Sequence, residues 1–306
     1  MPSPMTVVGS YNAPLTNPDY PRPVGAYAVY WLCAPGVVPV NAKPGDIIGD
    51  NSTVLNLQEP LPLGVPGQWT CYLNEEFTGT ALNTTIWNPW WYNGAPVNNV
   101  NTLPTNAVVA NGLLTMNLSD SSHGAAISSK PNNPSNKGFA IGAECLWEAR
   151  IWYPGNGTDL YNWNAFWVLR DPDSTSDLNV EIDIAEVDGY ASPPTASGAH
   201  MNFNYIHSLG HPTTTNTTQQ QYFYGTPYLG DAWHTYGMHR TTTTLTLYLD
   251  GVAQTTIPTI AADPGEPQYC IINAGIGGTQ QVPSSFQVDY VRAWAPTRTT
   301  PNLTYA

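Results

Sequence analysis

From about Gln68 onward, apolar and polar residues alternate in short runs. Gly112-Leu113-Leu114-Thr115-Met116-Asn117-Leu118, Thr244-Leu245-Thr246-Leu247-Tyr248-Leu249-Asp250-Gly251 and Phe286-Gln287-Val288-Asp289-Tyr290-Val291-Arg292 are three of them. A period of two marks a half-buried strand, because successive side chains point to opposite faces. In the second run Leu245, Leu247 and Leu249 share one face, and Asp250-Gly251 predicts a hairpin turn. Gly, Asn and Pro separate the runs, and no stretch of ten or more residues has helical spacing. Many short strands with turn punctuation predict an all-β protein, a β-sandwich of two antiparallel sheets.

The first 66 residues have a different texture. They hold twelve of the 29 prolines, which excludes helix and limits strands to short pieces. Ala26-Tyr27-Ala28-Val29-Tyr30-Trp31-Leu32 can form one strand, and Lys43-Pro44-Gly45-Asp46 is a turn before Ile47-Ile48. Tyr and Trp are rare in flexible linkers, so residues 1–66 read as a small Pro-rich β appendage that docks on something else. The expected division is 1–66 appendage, 67–296 sandwich and 297–306 C-terminal tail.

Charge narrows the partners. There are 22 acidic and nine basic residues, a net charge of −13. Such a surface repels phosphate backbones, which argues against nucleic acid and leaves a neutral polysaccharide as the easier partner. Cys33, Cys71, Cys145 and Cys270 are far apart without CxxC spacing, so they do not predict a zinc site, and Cys145 and Cys270 read as buried thiols. No apolar run is long enough to span a membrane, and residues 1–5 lack the basic and apolar regions of a signal peptide.

In a chain so poor in charge, three carboxyls fall within six residues: Glu181, Asp183 and Glu186. Val180, Ile182, Ile184 and Val187 around them favour a strand. Glu181 and Asp183 then share one face while Ile182 enters the core. Glu186 falls on the wrong face of a regular strand, and one extra residue taken up as a β-bulge restores it. Four regular steps plus a bulge separate the two Glu backbones by roughly 13–15 Å, and side chains leaning together bring the carboxyls within the ~5–5.5 Å of a retaining glycosidase. Like charges this close hold at least one group protonated near neutral pH, and that mechanism needs one ionised nucleophile and one protonated acid. An isolated ExDxxE pattern is ordinarily just a solvated face. Here it follows the aromatic run Trp163-Asn164-Ala165-Phe166-Trp167-Val168-Leu169, as a sugar-stacking cleft would have it.

These residues resemble the bulged ExDxxE signature of glycoside hydrolase family 16, the laminarinase and agarase family. Further pieces follow in that family's order over about residues 67–296. Asn74-Glu75-Glu76-Phe77-Thr78-Gly79-Thr80 with Leu82 and Trp87 looks like its first strand and turn, and Ile127-Ser128-Ser129-Lys130 like a strand leading to the cleft. Trp163-Asn164-Ala165-Phe166-Trp167 is similar to its Trp-Pro-Ala-Phe-Trp, with Asn for Pro. Trp233-His234-Thr235-Tyr236, Tyr248-Leu249-Asp250-Gly251 and Val288-Asp289-Tyr290-Val291-Arg292 match later strands. The chain departs from the family at His239-Arg240, where many members have Glu-Trp.

The resemblance implies a jelly-roll sandwich and an endo-acting hydrolase of a β-linked glucan or galactan, with no cofactor in the reaction. It makes Glu181 the nucleophile, Glu186 the acid/base and Asp183 the residue that orients and tunes the nucleophile. Trp163 and Trp167 would flank the catalytic subsites, His200 would be a cleft histidine, and Asn98 or Asn99 would bind sugar hydroxyls. Alone, a strand histidine is more often structural, and Asn is a common turn residue. Trp90 and Trp91, in an unusually aromatic loop, are equally a subsite platform or a latch over the sandwich edge. A structural calcium would lie at Asp289, with Glu75 or Glu76 nearby, where the plainer reading is a surface aspartate. The appendage, with Tyr30-Trp31-Leu32 and Pro44-Gly45-Asp46, weakly resembles the N-terminal segments of actinobacteriophage minor tail proteins. That implies a virion enzyme acting outside the cell on a host envelope glycan. A non-catalytic glycan-binding module and a transglycosylase are the competing functions.

Overall fold

The computed structural model describes residues 60–91, 96–131, 137–157, 159–170, 180–187, 229–258 and 265–297, together with the backbone of short strands elsewhere. Five of those strands lie in the appendage: Met5–Thr6 (β1), Ser10–Tyr11 (β2), Ala28–Val29 (β3), Ile47–Ile48 (β4) and Val54–Asn56 (β5). They pair as β1-β4-β5 and β2-β3. The rest of residues 1–59, and with it the surface expected to dock on a larger assembly, lies outside the described residues.

The sandwich follows. Its strands are Trp69–Glu75 (β6), Asn101–Thr102 (β7), Ala107–Ala110 (β8), Leu113–Leu118 (β9), His123–Ser128 (β10), Ala140–Gly142 (β11), Cys145–Trp152 (β12), Trp163–Arg170 (β13) and Val180–Val187 (β14). Asn202–Phe203 (β15), Ile206–Ser208 (β16), Tyr222–Phe223 (β17), Trp233–Arg240 (β18), Thr244–Leu249 (β19), Val252–Pro258 (β20), Gln268–Gly275 (β21), Ser284–Pro296 (β22) and Asn302–Thr304 (β23) complete it. One sheet runs β17-β15-β14-β13-β21-β10-β7, with β16 on β14 and β11 joining β21 to β23. The other, here the back sheet, runs β20-β19-β18-β12-β22-β9-β8, with β6 on β22. The expected two-sheet jelly-roll sandwich is therefore present, and residues 302–304 of the expected tail form a strand of it.

The predicted alternation positions the core. Leu114, Met116 and Leu118 of β9 are buried, as are Leu245, Leu247 and Leu249 of β19. All but Leu118, which packs with Val100 and Ile276, meet Phe166 and Val168 of β13, Ile182 and Ile184 of β14 and Ile272 of β21 between the sheets. Each such side chain taken wholly out of water contributes about 1.5–3 kcal/mol. Asp250 and Gly251 take positive φ, 50° and 76°, as a two-residue hairpin turn requires. The Asp250 carboxylate also accepts from the Thr235 backbone N–H at 2.8 Å, tying this turn to β18.

Residues 60–66 fold against the outside of the back sheet. Val65 packs with Leu146 and Trp294, the Trp294 indole N–H donates to the Pro60 carbonyl, and the Leu63 N–H donates to Glu148 at 2.9 Å. Glu148 also accepts from the Tyr290 hydroxyl at 2.9 Å, and burial raises its pKa above the usual carboxylate range. Gly64 sits at φ +67°, where a Cβ would overlap the carbonyl oxygen of Gly251. The sandwich thus includes part of what the sequence assigns to the appendage.

Alanine at Gly64 should therefore be worse than alanine at Gly112, which has a similar φ of +74° and open space around it. Gly112→Ala should cost about 1–2 kcal/mol for the left-handed backbone, and Gly64→Ala about 1–3 kcal/mol more for the overlap. Urea unfolding of the two variants measures the difference, and equal losses would show that residues 60–66 are not packed as described.

Candidate active site

The three carboxyls lie on β14, between β13 on one side and β15 and β16 on the other. Opposite β13, Glu181 faces Leu169, Asp183 faces Trp167, Ala185 faces Phe166 and Glu186 faces Ala165. The register slips by one residue between Phe166 and Trp167, and Ile184 is the residue without a partner. This is the bulge that the spacing required. Leu169, Trp167 and Ala165 belong to the apolar cluster outside the sheet, whereas Ile182, Ile184, Ala185 and Val187 belong to the core between the sheets. Glu181, Asp183 and Glu186 therefore share the outer face.

That face has a floor and a partial roof. Ala126, Ala165 and Ile271 form the floor, and Trp91 and Val97 pack over them. Trp91 meets Trp167 edge-on, with ring centroids 5.4 Å apart. Trp167 is only 6% exposed, and its indole N–H donates to Asn273 at 2.8 Å. It is a buried wall beside Asp183, its partner across the strands. Trp91 stays partly exposed, and the Trp90 carbonyl accepts from the Ser128 hydroxyl at 3.1 Å. Trp163 stays partly exposed, and its indole N–H donates to Glu186 at 2.6 Å.

Asn98 and Asn99 form the turn between Val97 and Val100 with φ of 43° and 66°. Their side-chain amides donate to backbone carbonyls, Asn98 to Trp163 at 3.3 Å and Asn99 to Ile276 at 2.9 Å. The turn places Asn98 beside Trp163 at the edge of the face. His200 lies outside the described residues.

Asp183 is 6% exposed between two other carboxyls on one strand. Its pKa is raised well above the usual aspartate range, chiefly by burial and then by the charges of Glu186 and Glu181. Burial and then the Glu186 charge likewise raise the Tyr153 phenol.

The calcium expected at Asp289 does not fit its surroundings. Asp289 is 2% exposed in the back sheet and pairs with Arg150 at 2.9 Å. Glu75 accepts from the Phe77 N–H at 2.8 Å and the Trp87 indole at 3.2 Å, and Glu76 pairs with Arg292 at 2.6 Å. The cation at Asp289 is a guanidinium, and no metal-ligating cluster of His, Cys, Asp and Glu occurs among the described residues. The surface-aspartate reading also fails, because the residue is buried.

Asn273 is the residue that motif reading missed. It is fully buried in β21, on the row that crosses the sheet through Ala165 to Glu186. The only signal was one amide within the apolar run Tyr269-Cys270-Ile271-Ile272-Asn273-Ala274.

No family model and no curated protein matches this sequence. Solved structures do match in fold. Porphyranase B from Zobellia galactanivorans aligns with 79% of this chain and 99% of its own, at 16% identity and a TM-score of 0.58. Laminarinase from Flavobacterium sp. UMI-01 aligns over 74% and 100%, at 22% identity and a TM-score of 0.54. A glycoside hydrolase family 16 endo-glucanase from Bacteroides ovatus, in complex with G4G3G-2F-DNP, aligns over 72% and 99%, at 19% identity and a TM-score of 0.58. The sandwich thus has the fold of family 16.

Asp183 has a consequence for stability. Its folded pKa lies above the aspartate reference of 3.8, so the folded state holds this proton to higher pH than the unfolded state does. The stability this contributes is complete below about pH 3.8 and is lost as pH rises through the folded value. Asp183→Asn, which cannot ionise, should therefore be more stable than the parent at pH 7–8, with the difference shrinking on acidification. Urea unfolding from pH 4 to 8 checks the direction, and a less stable variant at pH 8 would contradict it.

Proposed function

We propose that this protein is an endo-acting, retaining glycoside hydrolase that cuts a neutral β-linked polysaccharide of the glucan or galactan type. The observation that carries the reading is the bulge at Ile184, which gathers Glu181, Asp183 and Glu186 on one face beside Trp163. A strand that needed only a solvated face would leave Glu186 pointing inward or replace it. The shared fold with glucanases and a porphyranase supports the same class.

The chemistry follows from the spacing. The partners of Glu181 and Glu186 on β13 are four residues apart, roughly 13 Å along the strand. Two glutamate side chains converging across Asp183 approach the ~5–5.5 Å separation of a double displacement. Glu181 attacks the anomeric carbon while Glu186 gives its proton to the glycosidic oxygen, and the leaving sugar departs as an alcohol. Glu186, now a carboxylate, takes a proton from water as that water attacks the anomeric carbon and frees Glu181. Two inversions leave the product with the β configuration of the substrate. A neutral Asp183 removes one negative charge between the two glutamates, so the site does not hold three anions at once.

The net charge of −13 opposes a strongly anionic chain and favours a neutral one. Partly exposed Trp163 offers an apolar ring for a pyranose face beside the carboxyls.

Reducing-sugar release from laminarin, lichenan, agarose, a neutral galactan and an actinobacterial cell-wall preparation tests this reading. At least one should be cut, with the new chain end appearing first as the β anomer by proton NMR. Glu181→Gln should lower the rate by on the order of a thousandfold or more, as expected for a lost nucleophile. Glycan binding without cleavage would replace the hydrolase with a binding module, and longer chains in place of reducing ends would make the enzyme a transglycosylase.

A further inference from the structure

We propose that the indole N–H of Trp163 fixes which oxygen of Glu186 carries the catalytic proton, which makes Trp163 a positioning residue for the acid as well as a wall of the cleft. This rests on the hydrolase reading above. The Trp163 Nε1 donates to Glu186 Oε1 at 2.6 Å. A protonated carboxyl has one hydroxyl oxygen and one carbonyl oxygen, and an N–H is accepted best by the carbonyl oxygen. A donor held against Oε1 therefore leaves the proton on Oε2. The acid then presents the same oxygen to each substrate. After transfer the same bond still orients the carboxylate that must draw a proton from water.

The donor is itself anchored. Trp163 opens β13, where it pairs with Gly275 of β21. The Asn98 amide donates to the Trp163 carbonyl at 3.3 Å, and the Ile276 N–H donates to the Asn98 carbonyl at 2.8 Å. A Cβ on Gly275 would overlap Asn98, so the Asn98–Asn99 turn lies hard against the end of β21. The Asn98–Asn99 turn thus holds the backbone of the residue that holds Glu186.

A ring that only stacks on sugar and a ring that also steers the acid respond differently to Trp163→Phe, which keeps an aromatic face and deletes the donor. On the polysaccharide that the parent cuts best, kcat should fall by about tenfold to a hundredfold, a fraction of the usual worth of general acid catalysis, with KM within about threefold. On the 2,4-dinitrophenyl β-glycoside of the matching oligosaccharide, whose leaving group departs without a proton, the initial release of dinitrophenolate should change by no more than about threefold. Equal losses on both substrates, or a raised KM with unchanged kcat, would reduce Trp163 to a stacking surface and overturn the proposal.

A second readout needs no turnover. In protein labelled with 15N-tryptophan, Trp163→Phe identifies the Trp163 indole signal. That signal should shift upfield in Glu186→Gln, where a neutral amide replaces the carboxyl, and stay near its place in Glu181→Gln. An indole unmoved by Glu186→Gln would overturn the proposal while leaving the hydrolase reading intact. A parent protein that cuts no glycan, with the indole shift present, would instead overturn the hydrolase reading and with it the catalytic use of this contact.

Discussion

A β-strand turns its side chains alternately to its two faces, and β14 has two incompatible demands on that alternation. Ile182, Ile184, Ala185 and Val187 must enter the core, and Glu181, Asp183 and Glu186 must stay out of it. A regular strand would drive the Glu186 carboxyl between the sheets, where an isolated charge is very costly. One unpaired residue, Ile184, resolves the conflict. The rest of the site follows from that slip. Asp183 comes opposite Trp167, Glu186 comes opposite Ala165, and the absence of a long side chain at Ala165 leaves room between Glu186 and Asn273 on the same row.

The face so produced is not relaxed. Asp183 is buried between two carboxyls, and the fold holds it there although ionising it opposes folding. Such an arrangement is typical of sites where like groups are assembled for proton transfer rather than for stability. Polar contacts fix two of the rings beside these carboxyls. Trp163 is tied to Glu186, and Trp167 is tied to Asn273 and closed over by Trp91. Of these tryptophans, Trp163 combines partial exposure with direct contact to a carboxyl.

The back sheet handles charge in the opposite way. Arg150 pairs with Asp289 and lies 4.9 Å over the Trp233 ring, and Arg292 pairs with Glu76 and lies 3.8 Å over the Tyr290 ring. Arg150 and Arg292 thus each have a partner of opposite sign, as low dielectric surroundings favour. Residues 60–66 lie over this sheet and engage Glu148 and Trp294. Residues 60–66 therefore lie on the side of the sandwich away from the carboxyl face.

What the sequence determined by itself was local. The period of two placed Leu114, Met116, Leu245 and Leu247 in the core, Asp250-Gly251 marked a hairpin, and the odd spacing of Glu186 required a bulge. Each of these depends on neighbours a few residues apart, so the pattern along the chain contains the information. Tertiary structure alone decided the partners. Trp163 and Glu186 are 23 residues apart, Trp167 and Asn273 are 106 apart, and Arg150 and Asp289 are 139 apart. No periodicity reports which indole donates to which carboxyl, or that an arginine rather than a calcium faces Asp289. Those choices follow from the register of β13 against β14 and β21 and of β12 against β22, and register is set by the packing of the whole sandwich.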